Sequence, residues 1–462
     1  MMKLSEAARA LRARVQGPDV TFKGVSTDTR TLRPGDLFIA LRGENHDGHR
    51  FIAAAATAGA AATLVDAAGA SEAPATLPAL VVDDSRLALG RLSAHWRSQF
   101  KIPLVGLTGS SGKTTVKEML ASILRAAAVS AVGAEAAADA VLATRGNLNN
   151  DIGVPLMLLQ LSPAHRYAVI EMGMNHAGEI RYLTQIACPD VALITNAGTA
   201  HIEYLGSEEA IAQAKGEIFD GLSATGVAVI NADDRFAPLW REIAADKRRI
   251  QFGVEHSAEV SASYRLHEQA SEIVITTPQG QASTRLQSPG LHNVRNALAA
   301  AAAAAALDLP LSIIATGLSA YSGIKGRLQR RAGVNGAQLI DDTYNANPDS
   351  VRAAIDVLAQ ASGTKILVFG DMGELGADAP RLHTDIGAYA KAAGIDRLLT
   401  LGELSEASTD AFGAAARHYR SIESLLDDLR AAAAPDVMML VKGSRFMRME
   451  RIVEALTPAG KQ

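Results

Sequence analysis

Short apolar runs separated by helix-length segments dominate the middle of the chain: 102–107, 167–171, 191–195, 226–231 and 250–253. Such an alternation predicts a mainly parallel sheet with helices on its faces, whose ligands gather at the carboxyl ends of the strands. Between about 258 and 287 the period shortens to polar–apolar alternation, as in Glu-Ile-Val-Ile-Thr at 272–276. That period predicts antiparallel strands appended to the sheet. Helices are expected at 292–307 and 310–319, and 321–326, with two glycines, reads as a linker. The alternation then restarts at 337–341, 365–369, 397–401 and 437–441, predicting a doubly wound, Rossmann-like domain from near 326. Upstream, strand candidates at 36–41 and 79–82 flank an Ala-rich helix at 51–62. The expected fold is therefore α/β with three domains, 1–98, 99–325 and 326–462, as a length of 462 residues also favours.

One strand-to-helix junction carries chemistry. Residues 108–115 read Thr-Gly-Ser-Ser-Gly-Lys-Thr-Thr, after a strand run and before an amphipathic run. A Gly-rich turn opening a helix aims backbone N–H groups and the helix dipole at one point, which suits the polyphosphate of a nucleotide. Gly109 and Gly112 let the backbone of Ser110, Ser111 and Thr115 approach phosphates, Lys113 bridges the outer ones, and the Thr114 hydroxyl suits Mg2+. The motif is the shortened Gly-x-x-Gly-Lys-Thr form, because Leu107 stands five residues before Gly112.

Composition mainly excludes. A formal charge of -4 with 20% charged residues leaves no basic stripe for nucleic acid. Cys188 is the single cysteine, so neither an intramolecular disulfide nor a cysteine zinc site is available, and a reducing cytoplasm fits. The charged N-terminal stretch does not read as a secretory signal, and no apolar stretch beyond the alanine tracts is long enough to insert in a membrane. The Ala-rich 127–143 segment reads as a variable helix or loop insertion, and the Ala-rich 297–306 segment as a buried helix.

The phosphate loop, Gly-Asn-Leu-Asn-Asn-Asp-Ile-Gly-Val-Pro at 146–155, Glu-Met-Gly at 171–173, the 201–215 stretch and His-Asn-Val-Arg-Asn-Ala at 292–297 together resemble the Mur ligases of peptidoglycan synthesis. The likeness runs nearly end to end. Within the family, the segments 149–155, 341–348, 370–376 and 442–445 point to the dipeptide-adding member, as does the absence of an Asp-Asn-Pro-Arg signature. The resemblance implies an ATP-dependent ligase, monomeric, that phosphorylates the terminal carboxylate of UDP-N-acetylmuramoyl-tripeptide and captures the acyl phosphate with D-alanyl-D-alanine. It further implies Glu171 and His201 as magnesium ligands beside Thr114, and Lys215 carbamylated to help hold a second magnesium. Asn296 would read adenine, Arg327 the phosphates and Asp342 the ribose, with Tyr344 and Asn345 beside it. Ser26, Thr27, Asp28, Arg30, Asn45 and His46 would hold the UDP-sugar, and the 371–376 and 442–445 segments would face the dipeptide.

Taken without that resemblance, Glu171 is a strand-end carboxylate fit for a surface ion pair, Lys215 a solvated helical charge, and Asn293 a helix cap. Another family member, the tripeptide-forming ligase or a folylpolyglutamate synthase, remains a neighbouring reading. A nucleotide-regulated switch is a third, though it has no need of a second metal site built from Glu171, His201 and Lys215.

Overall fold

Backbone pairing assembles the chain around three parallel or mainly parallel sheets. The structure, a computed structural model, describes residues 1–43, 46–199 and 202–458. In the first third, five strands run in the spatial order Arg14–Gln16, Ala79–Val82, Ala62–Asp66, Leu37–Ile39 and Val25–Ser26, with only the first pair antiparallel. The helix expected over 51–62 is shorter, Ile52–Thr57, and 62–66 is a strand. Thr63 to Val65 are fully buried between two strands, so tertiary pairing overrides the helical propensity of the preceding alanines.

The middle sheet is all parallel, ordered Val141–Ala143, Tyr167–Glu171, Leu104–Thr108, Val191–Ile194, Val227–Asn231 and Arg248–Phe252. The Ala-rich 127–143 segment is not an insertion. Its first part completes the helix Lys113–Val132, and its last residues form the edge strand Val141–Ala143. The strands expected at 258–287 exist, as Ser261–Leu266, Ser271–Thr277 and Gly280–Leu286, but they form a separate antiparallel sheet. Among the described residues, one bridge, Phe252 to Val260, links it to the parallel sheet. The helix Leu291–Ala306 packs between the two, its alanines from 299 to 304 nearly solvent-free in one apolar cluster with Val229, Ile273 and Ile275. Small side chains permit that closeness. A Cβ on Gly317, in the helix Leu311–Ala320, would stand 2.3 Å from the Ile123 Cα.

In the last third, Gln329–Ala332 pairs antiparallel with Gln338–Asp342, and Val437–Lys442, Thr364–Gly370, Arg397–Leu401 and Ala416–Tyr419 continue the sheet in parallel. Apolar cores lie on both faces, one around Ile355, Phe369 and Ile386 and the other around Val368, Met439 and Ile452, the doubly wound arrangement. Among the described residues no helix is long and apolar enough to cross a membrane.

Candidate active site

The carboxyl edge of the middle sheet faces a cleft of about 1040 Å³ that the last third of the chain closes from the other side. At its floor Gly109 has φ +153 and Gly112 φ +82, and a Cβ on Gly109 would meet Thr195 Oγ1 at 1.8 Å. Only glycine fits there. The loop is held from the neighbouring strand end: Ser111 N donates to Asn196 Oδ1 at 2.9 Å, Thr195 Oγ1 donates to Ser111 O at 2.7 Å, and Ser110 N donates to Asn196 O at 3.0 Å. Thr195 and Asn196 therefore preset the curl before any nucleotide arrives. Lys113 begins the helix and folds back, its Nζ donating to Gly109 O at 2.6 Å. Burial holds its ammonium below the ordinary lysine pKa, against the pull of Glu171.

Glu171, 3% exposed, ends its strand beside this loop. Its Oε2 accepts from Thr114 Oγ1 at 2.9 Å and its Oε1 from Asn149 Nδ2 at 2.9 Å. Among the described residues Glu171 makes no ion pair, and it lines the cleft. Two oxygens 2.9 Å apart match adjacent positions on a magnesium shell, where bonds of about 2.1 Å at right angles put ligands about 3.0 Å apart. Among the described residues no group of three or more His, Cys, Asp and Glu is placed to hold a metal. A cation at Thr114 and Glu171 would thus complete its shell from phosphate and water oxygens, as magnesium commonly does. Arg327, from the segment between the middle and last sheets, donates from Nη2 to Thr114 Oγ1 at 2.9 Å and lies 4.3 Å from the Tyr344 ring centroid.

Lys215 is not solvated. It lies in the last turn of the helix Glu208–Gly216 with 1% of its surface exposed, beside the layer that includes the buried Trp240. Burial, and next the charge of Lys113, push its ammonium well below the ordinary lysine pKa. His201 and Asn45 lie outside the described residues.

On the far side of the phosphate loop, Asn296 Nδ2 donates to Asn293 Oδ1 at 3.3 Å, and a Cβ on Gly112 would touch Asn296 Oδ1. Asn293 caps nothing: the helix begins after Gly290, and Asn293 Nδ2 donates to Pro289 O at 2.8 Å instead. His292 is pushed down to about 4, by burial first and then by Lys442 and Arg295, and so is neutral. Asp342 Oδ2 accepts from Lys442 Nζ at 2.6 Å and Oδ1 from Leu328 N at 3.1 Å. Burial raises its pKa, with Lys442 the largest opposing influence. Asn345 Oδ1 accepts from Ala346 N at 2.9 Å and from Arg445 N at 3.4 Å.

The loops of the first third stand apart from this cleft's phosphate end. Ser26 Oγ donates to Asp28 O at 2.9 Å, and Arg30 clasps the Asp28 carboxylate, holding it down to about 2. Thr27 lies on the same turn, and His46 is exposed and stacks on Phe51 at 5.2 Å. A bidentate Arg86–Asp151 pair, with Nη2 to Oδ1 at 2.8 Å, ties the helix Ser85–Arg97 to the 147–152 loop along the cleft wall. Asn149, Asn196, Lys442 and this pair are cleft residues that sequence reasoning did not single out. Asn149 and Lys442 lay inside motifs already noted, but nothing local shows which neighbour each side chain meets.

Three family models match in succession: the Mur ligase family catalytic domain over 21–97, the Mur ligase middle domain over 107–304, and the Mur ligase glutamate ligase domain over 326–445. The chain is 41% identical over 461 residues to the UDP-N-acetylmuramoyl-tripeptide--D-alanyl-D-alanine ligase of Escherichia coli (strain K12), covering 99% of this chain and 98% of that protein. To the protein of the same name from Bacillus subtilis (strain 168) it is 35% identical over 463 residues, covering 98% and 97%. Among solved structures, MurF from Acinetobacter baumannii superposes with a TM-score of 0.90 at 39% identity over 98% of each chain. The MurF ligase from Thermotoga maritima in complex with ADP gives 0.80 at 26% identity, over 95% and 98%.

Proposed function

The chain belongs to the Mur ligase family, and we propose how its own residues divide the work of the ATP-dependent addition of D-alanyl-D-alanine to UDP-N-acetylmuramoyl-tripeptide in peptidoglycan precursor synthesis. A carboxylate does not condense with an amine in water unaided. Transfer of the ATP γ-phosphoryl to an oxygen of the tripeptide's terminal carboxylate releases ADP and leaves an acyl phosphate. The dipeptide amine then attacks the acyl carbon, the C–O bond to phosphate breaks, and an amide remains.

Thr114, Glu171, Asn149 and Arg327 meeting at the first turn of the phosphate-loop helix is the observation that carries the assignment. Gly109 to Thr115 cradle the phosphates, and Lys113 leaves its own loop carbonyl to stabilise charge on the transferring group. Thr114 and Glu171 would hold magnesium, which would neutralise phosphate charge, and Asn149 fixes the Glu171 rotamer. Arg327 takes phosphate, Asn296 reads adenine, and Asp342 accepts from the ribose with Tyr344 and Asn345 at its edge. Lys215 is carbamylated: its amine adds to carbon dioxide and loses a proton, giving an anion that, with His201, would help hold a second cation. Ser26, Thr27, Asp28, Arg30, Asn45 and His46 hold the UDP-sugar, and the enzyme acts as a monomer.

Coupled ADP release decides the substrate pair. With UDP-tripeptides carrying diaminopimelate or lysine, release should require D-alanyl-D-alanine. Release that ignores the dipeptide but answers to a single amino acid overturns the reading.

The Arg86–Asp151 pair aligns the UDP-sugar end with the chemistry. Arg86→Ala should raise KM for the UDP-tripeptide by about threefold, the scale of a partly exposed ion pair, with KM for ATP unchanged in steady-state assays.

A further inference from the structure

One cleft residue, Lys442, has no part in that scheme, although it pairs with Asp342. Lys442 and Asp342 end neighbouring parallel strands in direct register, and both line the cleft 100 residues apart in sequence. Lys442 is 2% exposed, and its ammonium donates to Asp342 Oδ2 at 2.6 Å and to Asn345 O at 2.9 Å. Two of its three donors are thus spent within its own sheet and loop, so it has little reach toward an incoming carboxylate. Asp342 Oδ1 accepts from Leu328 N, and Leu328 holds φ +49, left-handed for a side-chain-bearing residue, next to Arg327. Each Asp342 oxygen therefore has one fixed protein donor and a lone pair to spare.

We propose that Lys442 is a positioning residue for nucleotide recognition: it keeps Asp342 ionised and locked in the rotamer that accepts ribose hydroxyls, and it does not bind the dipeptide. This rests on the assignment of Asp342 to the ribose. A carboxylate in so dry a place, stripped of its cation, protonates or turns away, and either change removes an acceptor. The neighbouring motif then divides by function, with Lys442 serving ATP although it adjoins segments assigned to the dipeptide.

The test compares Lys442→Met, Lys442→Arg and Asp342→Asn with wild type, using ATP, 2′-deoxy-ATP and 3′-deoxy-ATP, with thermal unfolding followed in parallel. Wild type should disfavour at least one deoxy nucleotide by about tenfold or more in kcat/KM, the scale of a hydrogen bond to a charged group. Lys442→Met should raise KM for ATP by about tenfold with kcat held within about threefold, and cut the deoxy preference to about threefold or less. KM for D-alanyl-D-alanine should stay within about twofold, and Lys442→Arg should restore part of the preference. A raised dipeptide KM, or an intact deoxy preference in Lys442→Met, overturns the proposal. Asp342→Asn separates the layers: if it keeps the wild-type preference, the ribose assignment itself fails, whereas its losing the preference while Lys442→Met retains it rejects Lys442 alone. Should Lys442→Met not fold, Asp342→Asn/Lys442→Met removes both charges. That double variant should match Asp342→Asn in every constant, and a dipeptide KM raised only in the double variant overturns the proposal.

Discussion

Lys113→Ala should lower kcat/KM by about 10³-fold or more, a loss of about 4 kcal/mol of transition-state stabilisation. The structure explains both why the effect is large and why folding should survive it. Among the described residues Lys113 Nζ holds only carbonyl oxygens of its own loop, Gly109 O at 2.6 Å and Ser110 O at 3.5 Å, while the loop's shape is fixed independently by Thr195 and Asn196. The side chain is therefore a cation held in reserve at a helix N-terminus, and its removal deletes charge where charge builds up in phosphoryl transfer. Lys113→Arg should rescue little, because a planar guanidinium is too bulky for a pocket shaped to one ammonium. Coupled ADP release with both substrates measures the loss; a decrease smaller than about tenfold would remove Lys113 from the chemistry.

Lys215→Ala should cost about 10²-fold or more in kcat, on the scale of losing one preorganised electrostatic group. Short carboxylates such as formate or acetate should restore part of the rate by entering the space left behind, since they supply the anion that the carbamate would provide. Rescue by carboxylate but not by a neutral amide of the same size identifies a charge. A Lys215→Ala enzyme with near wild-type turnover would reduce the residue to a packing role, and loss without any rescue would reject the carbamate. Thermal unfolding distinguishes a collapsed core: alanine at a site 1% exposed leaves a cavity beside the layer that holds Trp240.

The candidate site was legible wherever its residues are neighbours in the chain or fall at the ends of parallel strands. Gly109 to Thr115 form one junction whose shape follows from two glycines and the flanking periodicities, and Glu171 follows from its place after an apolar run. Lys215 shows the limit. Composition assigns a helical lysine to solvent, and only the packing of the helix Glu208–Gly216 into the middle layer makes it dry. The strands Ala62–Asp66 and Val141–Ala143 were hidden for a related reason, since both follow alanine tracts whose local preference is helical, and long-range ladders decide otherwise.

Local sequence, then, determined the α/β alternation, the phosphate loop and the motif order that places the chain among the Mur ligases, because period, glycine freedom and strand ends act over a few residues. Tertiary structure alone decided which distant groups meet: Arg327 with Thr114 across 213 residues, Ser111 with Asn347 across 236, and Lys442 with Asp342 across 100. Those contacts depend on strand order and on how the last sheet sits over the middle one. Burial there sets the charge of each group, and a residue's environment is a property of the fold rather than of its neighbours along the chain.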